Sequence, residues 1–260
     1  MKKKCIFANQ TSNRIDMNNT LYYRVLAMAL FGMLLRGAYA QDSRPRAVEA
    51  GFCVAPTVCW AAPHTDNYQR AGTKVGGHYG VVADINLVRT KEFVYASTGL
   101  VFKHLRFGLD YTDKYMLEKK NETIDSARIT STYNTIFLTI PTAIKLKTDQ
   151  FSNFAIFGVV GLEHGFRLSA KSKDIVTRPD NSEEPANKAN QTDNIVLFKE
   201  SLFATIGVEY TLFSHTKASF GIAYNYGLNS IFKRKYENAM TNKKVSANIH
   251  TIEFQFGFIF

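Results

Sequence analysis

Along most of this chain apolar and polar residues alternate with a period of two. Between Phe151 and Leu168 the even positions Phe154, Ile156, Val160, Leu162 and Phe166 are apolar, whereas Asn153, Gly161, Glu163 and Arg167 occupy odd ones. Residues 199–212 set Leu202, Ala204, Ile206, Val208, Tyr210 and Leu212 against Lys199, Ser201, Thr205, Gly207, Glu209 and Thr211. Residues 217–228 do the same, and the closing "TIEFQFGFIF" puts Ile252, Phe254, Phe256, Phe258 and Phe260 on one face. Successive side chains of a strand point to opposite sides, so this pattern predicts strands with one apolar and one polar face. From residue 49 onward no stretch sustains the 3.6-residue period of an amphipathic helix.

Eight such strands are predicted, at 48–60, 73–87, 92–107, 129–147, 150–168, 196–213, 216–229 and 246–260. Their connectors alternate in length. Short turns are expected at Val88–Lys91, Thr148-Asp149 and Ser214-His215, and long polar loops at 61–72, Gly108–Arg128, Ser169–Ile195 and Ser230–Val245. Turns at one rim and loops at the other predict an all-β fold, an eight-stranded antiparallel up-and-down transmembrane β-barrel over residues 48–260. A soluble lipocalin-like barrel also alternates, with its apolar face inward. Strands of ten or more residues, loops lengthened at one rim and an aromatic face that runs to Phe260 favour the bilayer.

Placing the apolar face in lipid puts the polar face in the lumen. It carries Glu49, Asp84, Glu163, Glu209 and Glu253 against Lys103, Lys145, Arg167, Lys199 and Lys217, with His78 among them. Eight strands enclose a space that side chains just fill, and buried charges must neutralise one another. The expectation is a filled, salt-bridged lumen, with a narrow porin-like pore as the alternative. Tyr95, Tyr133, Tyr210, Tyr224, Tyr226 and Trp60 are candidates for interfacial girdles, although Tyr95 and Tyr133 have lumen parity.

The N-terminus reads as an export signal. Lys2, Lys3 and Lys4 precede an apolar run from Val25 to Leu35, and Ala38-Tyr39-Ala40 forms a small-residue site that predicts cleavage between Ala40 and Gln41. Met17 is a candidate true start. Residues 1–40 are therefore assigned to a signal peptide and 41–47 to a short periplasmic lead-in, with the cell outer membrane as destination. Phe254, Phe256, Phe258 and Phe260 are expected to face lipid and to serve as a C-terminal insertion signal read by the barrel-assembly machinery.

Composition narrows the function. Aromatic residues make up 13%, with 20 Phe and 13 Tyr against one Trp. Removing residues 1–40 takes away six basic residues and one acidic one, lowering the formal net charge from +10 to +5, so nucleic acid is not an expected partner. Cys53 and Cys59, six residues apart on one strand, lie about 20 Å apart and read as free thiols. His64, His78, His104, His164, His215 and His250 have no Ser, Asp or second His at a catalytic spacing. A closed eight-strand lumen has no room for a sugar between paired carboxylates, and the cysteines have no His partner at zinc-like spacing. No enzyme activity, cofactor or metal is expected. Lys233, Arg234, Lys235, Lys243 and Lys244 make loop 233–244 basic, suited to a solvated loop or to lipopolysaccharide phosphates.

"FLTIPTAIK" in the fourth strand (Leu138, Ile140, Pro141, Lys145), "FGVVGLEHGF" in the fifth and "IAYNYGLNSIF" in the seventh resemble the PorT-like outer-membrane β-barrel proteins of the Bacteroidota. The resemblance spans residues 48–260 and implies an eight-stranded outer-membrane barrel, with no assigned activity for most members and type IX protein secretion for the eponymous one. The first strand, "EAGFCVAPTVCW", departs from the family's frequent Gly-x-Lys-x-Gly pattern, so the secretion role does not carry over directly. The expected function is that of a structural or interaction protein working through long extracellular loops, with outer-membrane lipid and lipopolysaccharide as surroundings. An accessory part in a secretion system, with other envelope proteins as partners, is the alternative.

Overall fold

The computed structural model describes residues 46–88, 93–117, 122–178, 182–185, 189–213 and 216–260. The predicted signal peptide, its cleavage site at Ala40 and Gln41, and nearly all of the lead-in lie outside the described residues.

Eleven strands are described: β1 (Val48–Pro63), β2 (Tyr68–Arg70), β3 (Lys74–Asn86), β4 (Val94–Leu117), β5 (Glu122–Lys147), β6 (Phe154–Thr177), β7 (Glu183–Pro185), β8 (Ala189–Asn190), β9 (Phe198–Phe213), β10 (Thr216–Gly227) and β11 (Ala247–Ile259). Eight are long, each pairing antiparallel with the next long strand, and β11 pairs with β1 (Gly51 opposite Ile259, Pro63 opposite Ala247) to close the ring. The result is a closed eight-stranded antiparallel barrel. The short β2 adds to β4, and β7 and β8 add to β6, all at the loop rim.

Alternation decides the faces as predicted in the turn-side half. Outward residues there are apolar and exposed, including Ile206 at 68% and Phe256 at 47%. On β9 the outward series from Leu202 to Leu212 is about 25 Å tall at ordinary rise and tilt, the height of a lipid-facing band. Phe254 and Phe258 are also exposed, while Phe260 follows the end of β11 and is half-buried. Trp60, Tyr224, Tyr226 and His250 cluster on the outside, with Trp60 and His250 rings stacked at 5.9 Å and the Arg70 guanidinium 5.4 Å over the indole. Tyr95 and Tyr133 depart from the girdle assignment: both are buried inside the barrel.

The loop-side half differs from expectation. Gly108–Arg128 and Ser169–Ile195 were predicted as loops, but β4 runs on to Leu117, β5 starts at Glu122 and β6 reaches Thr177. Alternation persists there in opposite phase. Leu105, Phe107, Leu109, Ala127, Ile129, Tyr133 and Phe137 point inward and are buried, whereas Arg106, Lys114, Arg128 and Asn134 are exposed outside. The solvent explains the reversal. Beyond the bilayer the outside meets water, so the apolar face must turn inward to be buried. Burial of each such ring or Leu side chain is favourable by about 1.5–3 kcal/mol.

Candidate functional site: the barrel interior and its outer cap

The lumen charges fall into two clusters. In the turn-side cluster Lys145 Nζ lies 2.6 Å from Asp84 Oδ2 and 2.5 Å from Glu209 Oε1. Lys147 Nζ is 3.2 Å from Glu209 Oε2 and 3.7 Å from Glu49 Oε2, and Lys217 Nζ is 2.6 Å from Glu49 Oε1. Ser97 Oγ donates to Asp84 Oδ1 at 2.6 Å. Three acids thus meet three bases drawn from five strands, and most of these groups are almost completely buried. A pocket of about 120 Å³ at the turn rim, lined by Lys147, Thr148, Asp149, Gln150, Glu209 and Lys217 among others, reaches the lower edge of this cluster.

In the mid-barrel cluster Lys103 Nζ contacts both oxygens of Glu163, at 2.5 and 2.7 Å, and Glu253 Oε1 at 2.8 Å. His78 Nδ1 lies 3.3 Å from Glu253 Oε2, and Thr251 and Gln255 donate to the Glu253 carboxylate. The ammonium of Lys199 meets the hydroxyl of Ser201.

These pairs reach across the lumen. β4, β5 and β6 lie side by side, so Lys103 spans from β4 past β5 to Glu163, and Lys145 spans from β5 to β3 on one side and to β9 on the other. Only a barrel of about eight strands is narrow enough for lysines to do this. Gly207 faces inward beside them. A Cβ there would meet Phe157 Cζ at 2.4 Å and Phe220 O at 2.4 Å, and the Phe157 ring lies 4.9 Å from Lys145 Nζ.

Arg167 sits elsewhere. A register shift between Ile136 and Phe137 marks where β6 steps past the lumen charges, and Arg167 Nη1 donates to the carbonyls of Thr192 (2.7 Å), Ile195 and Val196. It therefore holds a loop. Lys147, in turn, was not among the predicted lumen charges, although it shares the parity of Lys145 two residues earlier.

That loop is half of an apolar cap. Ile195, Ile231, Phe232 and Val245 are buried with Phe107, Tyr133 and Phe137 in one cluster. Phe107 and Tyr133 stack at 5.0 Å, and Phe232 meets Tyr133 edge-on at 5.5 Å. The basic loop is tied down beside it. Asn238 Nδ2 donates to Thr112 O at 3.0 Å, the Asp113 carboxylate accepts from the backbone N–H of Ala239 and Met240, and Lys243 Nζ is 2.6 Å from Asp66 Oδ2. The Lys243 ammonium holds the Asp66 carboxyl below the usual carboxylate range. Inside the β6 extension, burial pushes the Asp174 carboxyl up, against the lowering effect of the Ser131 and Ser172 hydroxyls.

Cys53 and Cys59 are free thiols. Among the described residues no three His, Cys, Asp or Glu side chains are grouped to hold a metal ion. His164, on the outer face, lies 3.4 Å from Glu200 and stacks on the Phe198 ring at 6.2 Å.

Residues 39–233 match the family described as "Outer membrane protein beta-barrel domain". No curated protein sequence matches the chain. Similar solved structures include Neisserial surface protein A, at 13% identity over 84% of this chain and 98% of that one, with a TM-score of 0.39. Another is Ail, the attachment invasion locus protein of Yersinia pestis, in complex with a heparin analogue, at 12% identity, 83% and 100% coverage and a TM-score of 0.35. OprG from Pseudomonas aeruginosa follows at 13% identity, 82% and 94% coverage and a TM-score of 0.33. None of these likenesses bears on activity.

Proposed function

Since the chain belongs to the outer membrane protein β-barrel domain family, we propose that it is a non-enzymatic, non-conducting barrel of the outer membrane whose extracellular extension is its working surface. The observation that carries this reading is the run of ion pairs across the lumen, Lys145 with Asp84 and Glu209, and Lys103 with Glu163 and Glu253. An ion path would have to part these contacts and also displace the cap of Ile195, Ile231 and Phe232. Planar-bilayer recording of the refolded protein tests it: the expected result is no steady unitary current, and such a current would overturn the reading in favour of a narrow pore.

In this reading residues 1–40 direct export and Phe254, Phe256 and Phe258 present the strand that the barrel-assembly machinery recognises. The strand motifs around Pro141, Glu163 and Tyr224 support placing the chain with the PorT-like proteins, which makes envelope secretion components the second class of partner. Copurification from native membranes separates the two. Recovery of secretion components favours the accessory role, and their absence favours a free-standing scaffold.

A further inference from the structure

We infer that the outer face of the β4–β5–β6 extension binds the phosphate groups of an outer-leaflet glycolipid, lipopolysaccharide. The site is a set of cations on adjacent rungs. Arg106 lies opposite Asn134, and Asn134 opposite Lys171, so these three share one row across three strands. Lys173 stands on the next row, where its partner Thr132 pairs with Gly108. The Cε atom of Lys74 lies 3.3 Å from the point where a side chain on Gly108 would begin, which places a fourth ammonium over the same rungs. With strands about 4.8 Å apart and about 3.3 Å per residue along them, the backbone positions of Arg106, Lys171 and Lys173 fall within roughly 12 Å of one another.

Two observations separate this patch from an ordinary solvated face. Two cations of the extension are paired with acids: Arg128 is 3.7 Å from Asp110, and Lys243 is 2.6 Å from Asp66. Among the described residues Lys74, Arg106, Lys171 and Lys173 have no ion pair, and the nearby Asp110 carboxylate is engaged by Thr130 and Arg128. The second is position. Directly below, the same strands turn Ile136, Leu138, Phe166 and Leu168 outward, so the surface passes from apolar to cationic within about one rung. That boundary is where acyl chains end and charged headgroups begin, and lysine and arginine bind phosphate there by charge-assisted hydrogen bonds.

The inference rests on the outer-membrane reading, and its test keeps the two apart. The full chain is refolded in detergent, barrel formation is confirmed by a heat-modifiable gel shift, and lipid A is titrated in while bound lipid is read by native mass spectrometry. The expected result is binding weakened at least ~10-fold in K74Q/R106Q/K171Q/K173Q, unchanged in the loop variant K233Q/R234Q/K235Q, and weakened similarly for the wild type with dephosphorylated lipid A. Equal binding by the quadruple variant, equal binding of dephosphorylated lipid A, or displacement by inorganic phosphate would each overturn it. The dephosphorylated-lipid arm uses only the wild type, so a variant that fails to fold leaves the inference open to refutation.

Discussion

Lys145 and Glu209 meet at 2.5 Å across the barrel interior although all of β6 lies between their strands. The contact is a property of the closed barrel, because no neighbouring-strand ladder brings the two together. Glu209→Gln leaves Lys145 with Asp84 and removes the 3.2 Å carboxylate contact of Lys147. The expected cost is about 3–5 kcal/mol, seen as a lower urea midpoint in lipid vesicles. Replacing Asp84, Lys145, Lys147 and Glu209 together by Leu, Met, Met and Leu, which leaves Glu49 with Lys217, is expected to be within about 1–2 kcal/mol of wild type or more stable, since two acids and two bases go along with their desolvation.

The interior is closed at three heights, by the cap and by the two charge clusters beneath it, so opening one is not enough. Ile231→Ala/Phe232→Ala empties part of the cap at a cost of about 5–10 kcal/mol if the two losses add. Bilayer recordings are expected to stay silent, because the pairs beneath are intact. Current is expected only when both charge clusters are opened as well, by adding Lys145→Ala, Glu209→Ala, Lys103→Ala and Glu163→Ala to the cap variant. Steady channels in the cap variant alone would show that the charge clusters do not block ions.

Arg167 gathers three carbonyls of residues 192–196. Arg167→Met leaves these acceptors partly unmet, costing about 1–3 kcal/mol locally. Amide exchange at Ile195 and Val196 is expected to quicken while exchange in β9 and β10 is unchanged. Arg167→Lys is expected to rescue little, because a single ammonium does not reproduce the guanidinium's spread of donors.

Asp174 supplies the pH dependence. Its carboxyl is held above the ordinary value by burial, and its Oδ1 has no hydrogen-bond partner. The native state therefore favours the protonated form. The stability this group contributes is fully present below the unfolded pKa of about 3.9 and is lost as pH rises through the folded value. Asp174→Asn is expected to resist proteolysis of the extension better than wild type at neutral pH, with the difference shrinking toward acid. A variant less resistant than wild type at neutral pH would contradict this assignment.

The turn-side half was legible because two signals agreed there. Lipid outside and charge inside gave a clean alternation, as in β9, and short turns such as Thr148-Asp149 set where strands end. The extension hid because its alternation inverts. "FGLDYTD" keeps the period of two, but Phe107, Leu109 and Tyr111 take the face that Lys103 held, and a reading tuned to lipid outside saw polar loop. Arg167 kept the right parity yet joined the loop, because the step in β6 beside it depends on register, which single-strand parity does not carry. Lys147 shares the lumen parity of Lys145 but stands at the strand end, where alternation alone does not separate a lumen charge from a turn residue.

Charge pairs that cross the lumen also dictate an order of assembly. Glu49 on β1 is matched by Lys217 on β10, and Glu253 on β11 by His78 on β3 and Lys103 on β4. Until β11 meets β1, these partners sit at opposite margins of an open sheet, and their charges must stay in water. The seam is therefore expected to close last and cooperatively, with no half-closed species populated during refolding. A half-closed intermediate would strand desolvated charges on both margins, so the zipper between the two ends of the barrel acts as a checkpoint that only a complete chain can pass.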